Sequence, residues 1–201
     1  MAKKAVFLGM AFIMLFSLVA CQDKELAEYK ATAKATIETH AQSKGQGNYS
    51  ATNWTVIEGL VTTGKTAVNT VADKATVDFA VDTVKQAINS VPKEEYMPDF
   101  EIDRLSIILN ITSNMDNREI TLSDFSEVSK IIGLESVTES MRYVDSETTP
   151  LINPNANRLL TVVLKKAFQS KENILMAVAA FEKLDVVLEA APIYIYDEIT
   201  G

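Results

Sequence analysis

The chain has 201 residues, 47% of them hydrophobic, with 27 acidic against 19 basic residues for a net charge of -8. A chain this apolar builds cores and is not a disordered stalk, while a surface this acidic repels nucleic acid and anionic lipid headgroups. Its length suits one domain or two small ones, and its single cysteine has no intramolecular disulfide partner.

The first element is "MAKKAVFLGMAFIMLFSLVAC". Lys3 and Lys4 precede an uncharged apolar run from Ala5 to Ala20. That run is short of the roughly 20 residues a membrane span needs and suits a secretory signal over residues 1–20. Its end, Leu18-Val19-Ala20-Cys21, resembles the bacterial lipobox, and polar "QDKE" follows at once. The resemblance implies cleavage before Cys21 and acylation of its thiol, so that the chain is lipid-anchored on the extracytoplasmic face of a membrane. With Cys21 acylated, zinc sites built on Cys and His are excluded, as is Cys-His catalysis. The lone histidine, His40, is expected as a surface or seam residue.

Residues 21–91 carry helical periods. Leu26, Tyr29, Ala33, Ile37 and Ala41 share one face; the turn "SKGQGN" follows. Trp54, Ile57, Val61, Gly64, Val68 and Val71 make a second stripe, and Val77, Val81, Val84, Ile88 and Val91 a third, which Pro92 ends. Three amphipathic helices with short connections predict a three-helix bundle. The second stripe runs through "GLVTTGKT", which matches the phosphate-loop pattern at Gly59, Gly64, Lys65 and Thr66. A phosphate loop needs a strand, a loop and a helix in a parallel sheet, and no alternating strand and helix series surrounds this one. The helical reading makes Gly64 a small seam residue, turns Lys65 and Thr66 to water, and predicts no nucleotide. Gly59 then costs the helix up to about 1 kcal/mol. The run from Tyr49 through Ala51-Thr52-Asn53-Trp54, the Gly64-Lys65-x-Ala67-Val68 step and the regular Val and Ala positions of the third helix resemble the small three-helix modules of Gram-positive surface proteins. Such modules act as spacers or adhesive and wall-associated units.

"PKEEYMPDFEID", residues 92–103, is polar with two prolines and reads as a linker. Asp99, Glu101 and Asp103 alternate like the start of a calcium loop, but Arg104 stands where such a loop needs glycine. No metal or cofactor is expected.

Residues 104–201 change pattern. "RLSIILNI" is a β-rich strand, and "TLSDFSEVSKIIG" a short helix started by Ser123 or Asp124. "LESVTESMRYV" is a second strand, "SETTPLINPNAN" a turn-rich connection, and "RLLTVVLKK" a third strand. Ser170 caps "KENILMAVAAFEKL", with Ile174, Val178 and Phe181 on one face and Leu175 and Leu184 beside them. "VVLEAAPIYIYD" is a fourth strand whose Pro192 marks an edge or a bulge. The predicted class is therefore α+β: a three-helix bundle followed by a small βαββαβ ferredoxin-like domain.

The strand ending Leu164-Lys165, the Ser170-Lys171-Glu172-Asn173 helix start, Leu184-Asp185 and Val187-Leu188-x-Ala190-x-Pro192 resemble the propeptide-type module of subtilisin-like proteases. The resemblance implies that the tail from Tyr194 to Thr200 lies in a protease cleft, making the chain an inhibitor or regulator in trans. The rival expectation is a non-enzymatic binding or structural protein. In either case the partner-binding candidates are Tyr194, Ile195 and Tyr196, since tyrosine at an exposed edge supports strand addition. A competing arrangement turns Ile195 inward between the two tyrosines. No catalytic residue stands out: among 27 acids nothing singles out a carboxylate pair.

Overall fold

The computed structural model of the chain describes residues 24–93, 97–110, 119–142 and 156–195. The chain is mixed α+β: three helices come first, and a four-stranded antiparallel sheet with two further helices follows. Helix α1 covers 24–44 and buries Ala33, Ile37 and Ala41, the inner part of its expected stripe. Helix α2 (Ala51–Thr70) starts where Ser50 Oγ accepts the Asn53 amide at 3.2 Å. Helix α3 (Lys74–Ser90) starts where Asp73 Oδ1 accepts the Thr76 amide at 2.8 Å, and it stops before Pro92. Each cap satisfies an amide that the first helical turn leaves without a partner. The helices are also tied by polar pairs: Tyr29 Oη donates to Asp78 Oδ1 at 2.6 Å, and Lys30 Nζ to the Asn69 carbonyl at 2.9 Å.

Helix α2 buries more than the one stripe its period predicts. Ile57, Gly64, Val68 and Val71 are buried, but so are Val56, Leu60 and Ala67, because α2 lies against both α3 and a later helix. Trp54 and Val61, expected on the seam, are only half-buried. The Trp54 indole donates to Glu58 Oε1 at 2.9 Å and leans on Tyr49. Thr66 is exposed, as expected. Lys65 is not: it is half-buried and ion-paired with Glu38 of α1.

The strands are β1 (Phe100–Asn110), β2 (Leu134–Arg142), β3 (Ala156–Leu164) and β4 (Val187–Tyr194). Their spatial order is β2-β3-β1-β4, with every neighbouring pair antiparallel. Alternation sends Leu105, Ile107 and Leu109 of β1 and Leu160, Val162 and Leu164 of β3 to the same buried face. Pro192 lies on edge strand β4, where a missing N–H costs least. Two boundaries differ from the sequence reading. Strand β1 begins at Phe100 rather than Arg104, because Phe100 and Met97 are buried in the core. The short helix α4 (Ser126–Ile131) is preceded by a 3₁₀ turn over Leu122–Phe125, whose cap is Thr121 rather than Ser123 or Asp124. The Thr121 amide donates to Asp124 Oδ2 at 2.8 Å, closing a reciprocal capping box.

Helix α5 (Lys171–Phe181) joins these parts. Ser170 Oγ accepts the Asn173 amide at 3.2 Å, as its sequence position suggests. Ile174, Leu175, Met176, Ala177, Ala179, Ala180 and Phe181 are all buried, and Val178 is half-buried. One side of α5 lies on β1 and β4; the other receives α2 and α3. A helix that is apolar all round belongs in a core. Phe181 meets Phe125 edge to face with centroids 5.1 Å apart. The buried residues of both halves form one continuous cluster.

The two glycines of "GLVTTGKT" sit at different contacts. A Cβ on Gly64 would lie 2.4 Å from Val84 Cγ2, in a fully buried seam between α2 and α3. A Cβ on Gly59 would lie 2.8 Å from Glu172 Cγ at the start of α5. Valine 84 is branched and enclosed, whereas Glu172 is flexible and half-buried. Gly64→Ala is therefore expected to destabilise by about 1–3 kcal/mol through overpacking, despite the helix propensity alanine adds. Gly59→Ala should stay within about 1 kcal/mol of the parent, as propensity and displacement of Glu172 offset each other. Urea unfolding midpoints of the two variants check this; equal losses would contradict it.

Candidate functional site

Strand β4 has β1 on one side and no strand on the other among the described residues. At its end Tyr194 is 41% exposed and Ile195 is 53% exposed. The inward-facing arrangement of Ile195 does not occur. Its amide donates to the Asp99 carbonyl at 2.9 Å, which holds the backbone while the side chain stays in solvent. The Tyr194 ring stands edge-on to Phe100, centroids 6.3 Å apart and planes at 88°.

The register explains a third exposed residue. Phe100 pairs with Tyr194, but Leu105 already pairs with Pro192, so β1 spends more residues than β4 over the same span. The excess bulges at Glu101–Arg104 and leaves Ile102 45% exposed. Ile102, Tyr194 and Ile195 thus lie at one end of the sheet. The sequence reading misses Ile102 because it placed 92–103 in a linker; the alternation in "DFEID" was the available signal.

Charges frame this end. Lys171 Nζ meets Asp99 Oδ1 at 2.6 Å and lies 5.7 Å from the Phe100 ring centroid. Arg104 Nε meets Glu101 Oε2 at 2.9 Å, and Arg104 Nη2 meets Asp103 Oδ2 at 2.9 Å. The three acids that alternate like a calcium loop are therefore each paired with a cation. Among the described residues no group of three or more His, Cys, Asp and Glu side chains could hold a metal ion. The hydrogen bond from Arg104 holds the Asp103 carboxyl below its ordinary range.

The other singled-out residues lie elsewhere. Gly59, Gly64, Lys65 and Thr66 are interior to α2, so the stretch is continuous helix and no loop of free amides surrounds a phosphate position. His40 Nε2 lies 3.0 Å from Asn89 Oδ1, bridging α1 to α3. Cys21, Tyr196 and most of "SETTPLINPNAN" fall outside the described residues. No helix among the described residues is long and apolar enough to cross a membrane. No protein-family model, no curated protein and no solved structure matches this chain.

The Asp103–Arg104 pair sets a pH dependence. A carboxyl depressed in the folded state adds stability above its unfolded pKa, about 3.9, and loses it as pH falls through the lower folded value. Arg104→Gln should lower the urea midpoint at neutral pH, and the gap should close as pH drops below about 4. A gap that persists in acid would show that the pair is not its source.

Proposed function

We propose that this chain is a lipid-anchored extracytoplasmic binding or structural protein without catalytic activity, which presents its sheet end to a protein partner. The observation that carries the reading is the exposed Tyr194–Ile195 pair at the free edge of β4. An edge strand offers unpaired backbone groups, and exposed aromatic and branched side chains beside it supply the apolar contact that strand addition needs. Ile102 widens that contact.

The anchor rests on the lipobox-like Leu18-Val19-Ala20-Cys21. Two or more acyl chains hold a protein stably on a bilayer, at about 0.8 kcal/mol per buried methylene. Only Gln22 and Asp23 separate Cys21 from the start of α1 at residue 24, a spacing that supports a helical half close to the membrane with the sheet half displayed outward. The finer architecture belongs to the same proposal: α1, α2 and α3 as a three-helix bundle, and the sheet half as a ferredoxin-like domain. The strand order, the antiparallel pairing and the placement of α4 between β1 and β2 and α5 between β3 and β4 support the latter. That topology also favours the second reading, a propeptide-like inhibitor or regulator acting in trans through the tail from Tyr194 onward.

Three measurements test these readings. Cys21→Ala should lose fatty-acid label and leave the membrane fraction; retention there would remove the anchor. Titration of the protein against secreted subtilisin-like proteases separates the two functions. Stoichiometric inhibition, abolished by deleting residues 194–201 with the far-UV circular dichroism of the folded chain retained, would establish the inhibitor. With no inhibition, a photo-crosslinker at position 194 should give a discrete adduct on cells that one at exposed Thr39 does not; equal labelling at both would sink the edge as a binding site.

A further inference from the structure

A second site lies where the helical half meets the sheet half. A cleft of about 500 Å³ opens between α2, the end of α4 and the connection from β3 to α5. That volume is within the usual range for small-molecule sites, which favour such junctions. In a chain of net charge -8 its lining among the described residues contains no carboxylate. It contains two lysines, Lys130 and Lys165, and a row of hydroxyls from α2.

The floor is built by a close approach. The Phe168 ring lies over Gly133, where a Cβ would come within 2.4 Å of its Cδ2. The Lys165 amide donates to the Gly133 carbonyl at 2.9 Å, and the Phe168 amide to the Lys165 carbonyl at 2.7 Å. Ring and lysine backbone are thus held in place before any ligand arrives.

Three of the α2 hydroxyls in the lining have already committed their protons. Thr62 Oγ1 donates to the Glu58 carbonyl, Thr66 Oγ1 to the Thr62 carbonyl, and Thr70 Oγ1 to the Ala67 carbonyl, at 3.1, 3.1 and 2.8 Å. Their protons are spent on the helix, so towards the cleft these oxygens can only accept. A ligand must bring donors to meet them. The lysines do the opposite. Lys130 Nζ holds Glu127 at 2.8 Å, so its charge is largely met; Lys165 has no ion pair among the described residues. An exposed ammonium without a fixed partner is available to an anionic acceptor.

We infer that this cleft binds an acidic monosaccharide, with the sugar hydroxyls donating to the α2 threonines, the acid group on Lys165 and a ring face against Phe168. A uronate and a sugar phosphate share this chemistry. The site is separate from the β4 edge and does not depend on it.

The test is amide chemical-shift mapping of the full chain in detergent micelles, with glucuronate, glucose 6-phosphate, glucose and inorganic phosphate as probes. At least one acidic sugar should give saturable shifts at Thr66, Gly133 and Lys165, and the tighter of the two identifies the acid group. Glucose and inorganic phosphate should bind at least about tenfold more weakly, since each lacks one half of the recognition. Lys165→Gln, on an exposed side chain, should weaken the acidic sugar by about tenfold with the melting temperature unchanged. Absence of saturable shifts with both acidic sugars would overturn the inference. So would inorganic phosphate binding as tightly as the acidic sugar, or shifts that ignore Lys165→Gln.

Discussion

Burial of α5 on both of its sides is the constraint on which the rest of the structure depends. An antiparallel sheet of four strands has one face to cover, and an eleven-residue helix with a single apolar stripe would do no more than cover it. Here Ile174, Met176, Ala177, Ala180 and Phe181 are buried, and so are Leu175 and Ala179. The far side of α5 is as apolar as the near side and needs α2 and α3 to keep it from water. Those helices need α5 in return, since Val56, Leu60, Ala80 and Ala87 lie outside the stripes by which α1, α2 and α3 meet one another in the sequence reading. Each half therefore supplies a surface that the other half removes from solvent. The hydrophobic gain of roughly 25 cal/mol per Å² is largest at such a doubly covered layer.

Close approach follows from that layering and explains the glycines that drew attention to "GLVTTGKT". Two helices that contact α2 on different sides need room at two places along it. Gly64 provides room for Val84 of α3, and Gly59 provides room for Glu172 at the head of α5. The spacing of these glycines reflects where two neighbours cross one helix. Lys65 and Thr66 then have local tasks, an ion pair with Glu38 and a bond to the Thr62 carbonyl. The same residue types that would cradle a phosphate in a loop serve packing when their amides belong to a helix.

The parts of the structure legible in the sequence are those set by local chemistry. Ser170, Pro92 and the valine period of α3 place a helix start, a helix end and a buried face without reference to anything distant. The strand runs of β1 and β3 are legible for the same reason. What was not legible depends on contacts between segments far apart in the chain. Lys65 finds Glu38 only because α1 and α2 pack. Phe100 belongs to β1 because Tyr194 pairs with it, 94 positions later. The alternating charges ahead of Arg104 read as linker until the structure shows Arg104 meeting Glu101 and Asp103 and Lys171 meeting Asp99. The all-round apolarity of "ILMAVAAF" was visible, but reading α5 as one-faced set it aside; a helix without a polar face is a signal of burial on two sides.

These constraints also leave the open surfaces at the margins. A core shared by all the large elements tolerates little change, so binding surfaces fall where the layering leaves something incomplete. Strand β4 is incomplete because no strand pairs with its outer side among the described residues, and its end keeps Tyr194 and Ile195 in solvent. The cleft beside α2 is incomplete for a different reason. The connection from β3 to α5 must leave the sheet, round Gly133 and enter the buried helix at Ser170, and it does not fill the angle that α2 makes with α4. The edge offers backbone and apolar side chains, which suit a polypeptide. The cleft offers threonine hydroxyls and the Lys165 ammonium, which has no ion pair among the described residues, and this set suits a small polar acid. The two surfaces differ in chemistry because one arises from sheet termination and the other from the seam between halves.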